Sequence, residues 1–134
     1  MAQESTLVIC KPDAVRRGLV GEVIGRIERK GLRITDIRML RIDEDLAGRH
    51  YSEHRDKPFF GELVSFITSG EVVVARVEGE QAVSVVRTLM GPTDPATAPP
   101  GTIRGDFATV ITENLVHGSD SPESAKRELD LFFG

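Results

Sequence analysis

A chain of 134 residues, 40% hydrophobic and 28% charged, is sized for one domain and too apolar to remain disordered. A formal net charge of -4 and a pI of about 5.4 exclude a broadly basic nucleic-acid binder, so a few locally placed cations must meet any phosphate it holds. No apolar run approaches the ~20 residues that span a bilayer, the acidic start Met1-Ala2-Gln3-Glu4-Ser5 lacks a signal peptide's basic region, and a single cysteine leaves no internal disulfide. The expectation is a cytoplasmic protein with no membrane partner.

Thr6 to Cys10 is an apolar run that reads as a buried strand, stopped at Pro12 because proline donates nothing to a ladder. Val20, Val23, Ile24 and Ile27 recur at helical spacing, and Gly31 is the expected stop. Leu32 to Ile42 reads as a strand whose alternation slips phase once, as at a β-bulge. Phe59, Phe60, Leu63, Val64 and Ile67 make a second helical stripe. Val72 to Val77 is the strongest strand, rich in β-branched residues. Ala82, Val83, Val86, Leu89 and Met90 make a third stripe.

The stretch from Gly91 to Asn114 shows no periodicity, yet it carries Pro92, Pro95, Pro99 and Pro100, which restrict the unfolded chain and favour an ordered loop. With Arg104, Asp106 and Asn114 in it, it reads as a binding loop. Leu115 to His117 closes a short last strand. Ser121 then caps a final helix that opens on Pro122 and buries Ala125, Leu129, Phe132 and Phe133. Two strand–helix–strand halves on one sheet predict an α+β fold of the ferredoxin-like α/β sandwich kind. It would have a four-stranded antiparallel sheet with helices packed on it and a long ordered loop near 91–114, all in a single domain over 1–134.

The segment Asn114-Leu115-Val116-His117-Gly118-Ser119-Asp120-Ser121 leaves two readings open. His117 at a strand end is either an exposed nucleophile or a polar bystander in a turn leading to a capped helix. Imidazole suits the first, since its unperturbed pKa of ~6.5 leaves it largely neutral near pH 7. Gly118 would then leave room for a bulky group beside the ring. Elsewhere, His50-Tyr51-Ser52-Glu53-His54 fits the H-x-x-E-H pattern of zinc peptidases, but that class needs a distant third ligand, and a solvated helix face is the better reading. Arg104 to Ala108 faintly echoes an RNA-binding run without its aromatics. No G-x-x-x-x-G-K-[ST] run occurs, so there is no P-loop. Cys10 reads as a small core residue.

Asn-x-x-His-Gly-Ser-Asp-Ser closely resembles the active-site signature of nucleoside diphosphate kinases. Lys11-Pro12-Asp13, Tyr51, Lys57-Pro58-Phe59-Phe60, Arg87, Thr93, the run Pro100 to Phe107 and Glu128 extend the resemblance over essentially the whole chain. It implies a kinase that moves the γ-phosphate of a nucleoside triphosphate to a diphosphate by a ping-pong route, through a phosphohistidine on His117.

By the same resemblance, Glu128 would hold the other ring nitrogen and, with Ser119, orient the ring, while Tyr51 would lie near the transferred phosphate. Arg87, Thr93 and Arg104 would hold the phosphates, aided by Mg2+ that they, rather than side chains, carry. Lys11 and Asn114 would bind the ribose hydroxyls, Lys11 also reaching the phosphoryl group, and Phe59, Leu63 and Ile111 would face the base. The implied partners are ribo- and deoxyribonucleoside di- and triphosphates and copies of the same chain, a hexamer rather than a tetramer, with no specific nucleic acid. Pro92, Asp94, Thr97 and Pro99 depart from the family's common Glu, Asn, Asp and Lys, which touches loop packing against a neighbouring subunit rather than chemistry. The alternative is a catalytically weak member of the fold, an interaction or nucleic-acid-binding protein; intact His117, Lys11, Arg104 and Asn114 argue against it.

Overall fold

The computed structural model describes residues 3–134. Strand β1 (Gln3–Cys10) leads into a short helix α1 (Pro12–Arg16), opened by proline at its first position. Helix α2 (Val20–Arg29) is followed by Gly31 at φ 101, the left-handed turn that glycine permits. Strand β2 (Arg33–Arg41) contains the expected irregularity, a register shift between Ile34 and Asp36. Helix α3 (Glu44–His50) is capped by the Asp43 carboxylate, which accepts from the Leu46 amide. Helix α4 (Phe60–Ile67), strand β3 (Glu71–Glu80) and helix α5 (Ala82–Met90) follow. After the proline-rich loop come helix α6 (Ile103–Phe107), strand β4 (Val116–Gly118) and helix α7 (Pro122–Phe133), the last capped by Ser121 as expected.

The four strands form one sheet in the order β2-β3-β1-β4, every pair antiparallel. This is the ferredoxin-like order, and it places β4 beside central β1, with Ile9 opposite His117. Because side chains alternate along a strand, β1 and β3 each supply both faces. Val8, Cys10, Val73, Ala75 and Val77 pack with Val23, Ile27, Val86 and Met90 on one side. Leu7, Ile9, Val72 and Val74 pack with Ala47, Tyr51, Ile67, Leu129 and Phe132 on the other. A sheet covered on both faces explains why its central strands read as continuous apolar runs rather than alternating ones.

Three expectations need correction. Helices α1 and α3 are absent from the periodicity reading, because five and seven residues span too few turns to leave a stripe. The 91–114 stretch is not without secondary structure: it holds a 3-10 turn at Pro95–Thr97 and all of α6. Its order comes from local capping. The Asp94 carboxylate accepts from the Ala96 amide at 3.0 Å, and the Thr102 hydroxyl accepts from the Gly105 amide at 3.0 Å while donating to the Pro99 carbonyl at 2.7 Å. The departing residues Asp94 and Pro99 thus serve the loop's own packing. Finally, His50 is not on a solvated face but 4% exposed, turned into the protein.

Candidate functional site

His117 projects from β4, whose pairing with β1 leaves the side chain 22% exposed. Its Nε2 lies 2.9 Å from Oε1 of Glu128, nearly two turns into α7 on its buried face. The same oxygen accepts the Ser119 hydroxyl at 2.7 Å, and Ser119 Oγ in turn accepts the Leu7 amide at 3.2 Å. A chain of bonds from the β1 backbone through Ser119 and Glu128 therefore fixes the imidazole. Burial pushes the Glu128 carboxyl upward, but the bonds from His117 and Ser119 outweigh it and hold the group below its ordinary value. Gly118 does not make room for a ligand. A Cβ there would meet Met90 Cε at 2.7 Å and Val86 Cγ1 at 3.0 Å, so this glycine lets β4 approach α5.

The cations expected from the sequence stand around the same strand. Arg104 is buried and donates through Nη2 to the Val116 carbonyl at 2.7 Å, through Nη1 to Gly91 at 2.9 Å, and through Nε to Asn114 at 3.2 Å. Gly91 and Asn114 are the two ends of the long loop, so one guanidinium ties them together beside β4. Burial and the neighbouring Arg87 lower its pKa to about 10. Arg87, exposed on α5, donates to the Gly118 carbonyl at 3.3 Å. Lys11, at the end of β1, donates to Asn114 Oδ1 at 3.0 Å, and Asn114 Nδ2 donates to the Thr93 carbonyl at 3.0 Å. Desolvation, with Arg104 adding repulsion, brings Lys11 down to about 8.

Lys11, Arg87, Thr93, Arg104, Asn114, His117, Ser119 and Glu128 are thereby linked around one strand end. Tyr51 joins through His50: its ring centroid is 4.7 Å from that of His50, which is itself 4.7 Å from that of His117. Burial, with the Glu128 charge, raises the Tyr51 phenol to about 12. Phe59, Leu63 and Ile111 take no part in this polar network. Phe59 and Ile111 are 42% and 53% exposed, and Leu63 is half-buried. Exposed apolar side chains and locally placed cations are the two features that a flat, aromatic, anionic ligand requires. A cavity of about 480 Å³ lined by Arg49, Ser52, Arg55, Arg127, Asp130 and Leu131 includes none of these residues.

Two residues packed against this network escape the sequence reading. His50 lies against His117, although the H-x-x-E-H spacing pairs it with His54. Asp13, buried within the Lys11-Pro12-Asp13 run, accepts the Leu115 amide through Oδ2 at 3.0 Å. A buried acid directly after a strand-ending proline was the available signal.

A family model described as nucleoside diphosphate kinase matches residues 4–134. A nucleoside diphosphate kinase of Rubrobacter xylanophilus is 66% identical over 98% of this chain and 98% of its own length. One from Archaeoglobus fulgidus is 62% identical over 97% and 86%. Among solved structures, a halophilic nucleoside diphosphate kinase from Halobacterium salinarum in complex with CDP superposes with a TM-score of 0.96 at 51% identity, over 98% of this chain and 88% of that one. The Aquifex aeolicus enzyme superposes with the same score at 43% identity, over 99% and 96%.

Proposed function

The chain belongs to the nucleoside diphosphate kinase family and is a nucleoside-diphosphate phosphotransferase, and on that premise we propose that it works by a ping-pong mechanism through a phosphohistidine on His117. The observation that carries the reading is the Nε2–Glu128 contact at 2.9 Å. With Nε2 held, Nδ1 is the nitrogen that attacks. Its lone pair forms the N–P bond while the bond from the γ-phosphorus to the bridging oxygen breaks, and the nucleoside diphosphate leaves with that electron pair. Glu128 stabilises the charge the ring acquires. An acceptor diphosphate then attacks the phosphorus with a terminal oxygen, and the imidazole is restored.

Phosphoryl transfer needs in-line positioning and cancellation of charge on the equatorial oxygens. Lys11, Arg87 and Arg104 supply that charge, and guanidinium matches phosphate oxygens bidentately. Thr93 and Asn114, from opposite ends of the loop, are joined by the bond from Asn114 Nδ2 to the Thr93 carbonyl, and Tyr51 closes the side beyond His50. Phe59, Leu63 and Ile111 offer the base apolar contact only, so purine and pyrimidine nucleotides are both substrates. Ribo- and deoxyribonucleotides are both accepted because the chemistry draws on the 3′-hydroxyl rather than the 2′-hydroxyl. Mg2+ would be held by the nucleotide phosphates and would neutralise charge on their oxygens. It prefers oxygen ligands, whereas the cluster of ligand-type residues among those described, His50, His117 and Glu128, is rich in imidazole.

The active form is an oligomer of this chain, a hexamer in preference to a tetramer. Support for association comes from β2, an edge strand that exposes Ile37 (49%) and Met39 (56%). No helix among the described residues is long and apolar enough to cross a membrane, which accords with a cytoplasmic enzyme. The test is incubation with γ-labelled ATP. The protein should acquire an acid-labile, alkali-stable label that added diphosphate removes as triphosphate, and His117→Gln should acquire none. Label retained on the His117→Gln variant would overturn the mechanism.

A further inference from the structure

His50 ends α3 with its side chain buried, and its Nδ1 has no hydrogen-bond partner. Buried polar atoms are rarely left so. Its ring stands edge-on to His117, at 81° and 4.7 Å between centroids. One ligand-type atom from each of His50, His117 and Glu128 lies within 4.8 Å of the other two. Glu128 is 5% exposed, so two of the three groups are almost wholly withdrawn from water. Burial, with His117 adding repulsion, lowers His50 to about 3, which leaves its imidazole neutral and its lone pair unprotonated at physiological pH.

We propose that His50, His117 and Glu128 form a binding site for a divalent transition-metal ion, typified by Zn2+, and that filling it blocks phosphorylation of His117. Two imidazole nitrogens and one carboxylate oxygen make a His2Glu donor set with a fourth position open to water. Such a set favours Zn2+ or Cu2+ and discriminates against Mg2+, so the substrate's own ion does not fill it. Ligands ~2.0–2.2 Å from a tetrahedral ion stand about 3.3–3.6 Å apart. Contraction from 4.8 Å is within the reach of side-chain rotation. The H-x-x-E-H spacing is not what makes the site: His54 is outside it, and Glu128 replaces the second histidine of that pattern.

The inhibitory half rests on His117 being the nucleophile. An ion on Nδ1 occupies the attacking lone pair. An ion on Nε2 displaces the Glu128 hydrogen bond and draws electron density from the ring. Either stops the transfer while leaving the cations that bind nucleotide in place.

Cobalt(II) serves as the spectroscopic probe, on the full chain, with folding of every variant checked by circular dichroism. Of the chain's three histidines, the variants substitute His50, inside the proposed site, and His54, outside it. Wild type and His54→Gln should bind one Co2+ per chain with the visible bands of a low-coordinate site, and Zn2+ should displace it. His50→Gln and Glu128→Gln should weaken binding by more than the ~10–100-fold that follows loss of an outer-shell partner. Zn2+ at slight excess should slow labelling by Mg·ATP in wild type and His54→Gln, but not in His50→Gln relative to its own zinc-free rate. Absence of a one-to-one complex, or equal affinity in His50→Gln, overturns the site. Binding as expected with labelling unaffected by Zn2+ overturns the inhibition. Binding as expected with no labelling even without zinc leaves the site standing and overturns the nucleophile instead.

Discussion

The Asp13 carboxylate holds the amide of Leu115 at 3.0 Å, across 102 residues of sequence, and Leu115 is fully buried with φ at 75. The Lys11 amide donates to the Leu115 carbonyl at 2.8 Å, so the peptide groups before and after Leu115 are both clamped by the β1–α1 turn. A non-glycine residue in the left-handed region costs ~1–3 kcal/mol and persists only where its surroundings impose it. Here the imposed turn sets Asn114 toward Lys11 and starts the strand that carries His117. Asp13→Ala should leave the amide unsatisfied and destabilise the protein by about 1–3 kcal/mol. Asp13→Asn retains an acceptor oxygen and should lose less. Urea midpoints compare the two, and equal losses would contradict the clamp.

Nucleotide affinity should depend on Lys11 ionisation. Its pKa is lowered to about 8 by burial and by Arg104, and incoming phosphates favour the charged form. Binding therefore takes up a proton near pH 8, and affinity should fall as pH rises through that value. The slope approaches roughly tenfold per pH unit for one proton. Calorimetric titrations across pH 6.5 to 9.5, taken as about the useful window, measure this. Lys11→Arg keeps its charge throughout and should flatten the profile; an unchanged slope would assign the effect elsewhere.

Glu128 gives stability its own acid dependence. Its folded pKa is held below the unfolded value, ~4.3, by His117 and Ser119 against the opposing effect of burial. The sign follows from proton counting: the unfolded chain binds the proton first as pH falls. The contribution is therefore complete above pH ~4.3 and disappears as pH drops through the lower folded value. Denaturation of wild type and Glu128→Gln from neutrality downward should show a gap that narrows only below that point. A gap independent of pH would mean that the carboxylate's charge contributes nothing.

Sugar discrimination should be sharp at one hydroxyl. Lys11 and Asn114, bonded to each other at 3.0 Å, are proposed to hold the ribose. A 3′-hydroxyl that also donates toward the leaving oxygen strengthens its bond as charge develops there, so it acts on the transition state. Single-turnover labelling should be nearly as fast with 2′-deoxy-ATP as with ATP. With 3′-deoxy-ATP it should slow on the order of 10²–10³-fold. Asn114→Ala should matter less for the 3′-deoxy nucleotide, whose partner group is already missing. Equal rates for all three nucleotides would remove the sugar from the chemistry.

The sheet was legible because its signals are local. Val72 to Val77 carries four β-branched valines in six residues, and the phase slip after Leu32 marks the irregularity at Ile34–Asp36. The stripes of α2, α5 and α7 repeat often enough to show their period. Helices α1 and α3 do not, and the buried residues that end α3, His50 and Tyr51, look polar in isolation. The proposed roles of His117, Lys11, Arg87, Arg104 and Asn114 were reachable only because whole motifs resemble a family; no single residue among them discloses a role by its type.

By itself, then, the sequence determined the order of strands and major helices, the two-faced apolar character of β1 and β3, and the motif around His117, since each is written in neighbouring residues. Tertiary structure alone decided which atoms meet. Glu128 reaches His117 only because α7 folds back across β1, and Arg104 joins both loop ends only because α6 places it beside β4. His50 faces His117 and not His54, and Gly118 is small for Met90 and not for a ligand. Periodicity reports which face of an element is buried; it carries no information about the partner brought to that face from a distant part of the chain.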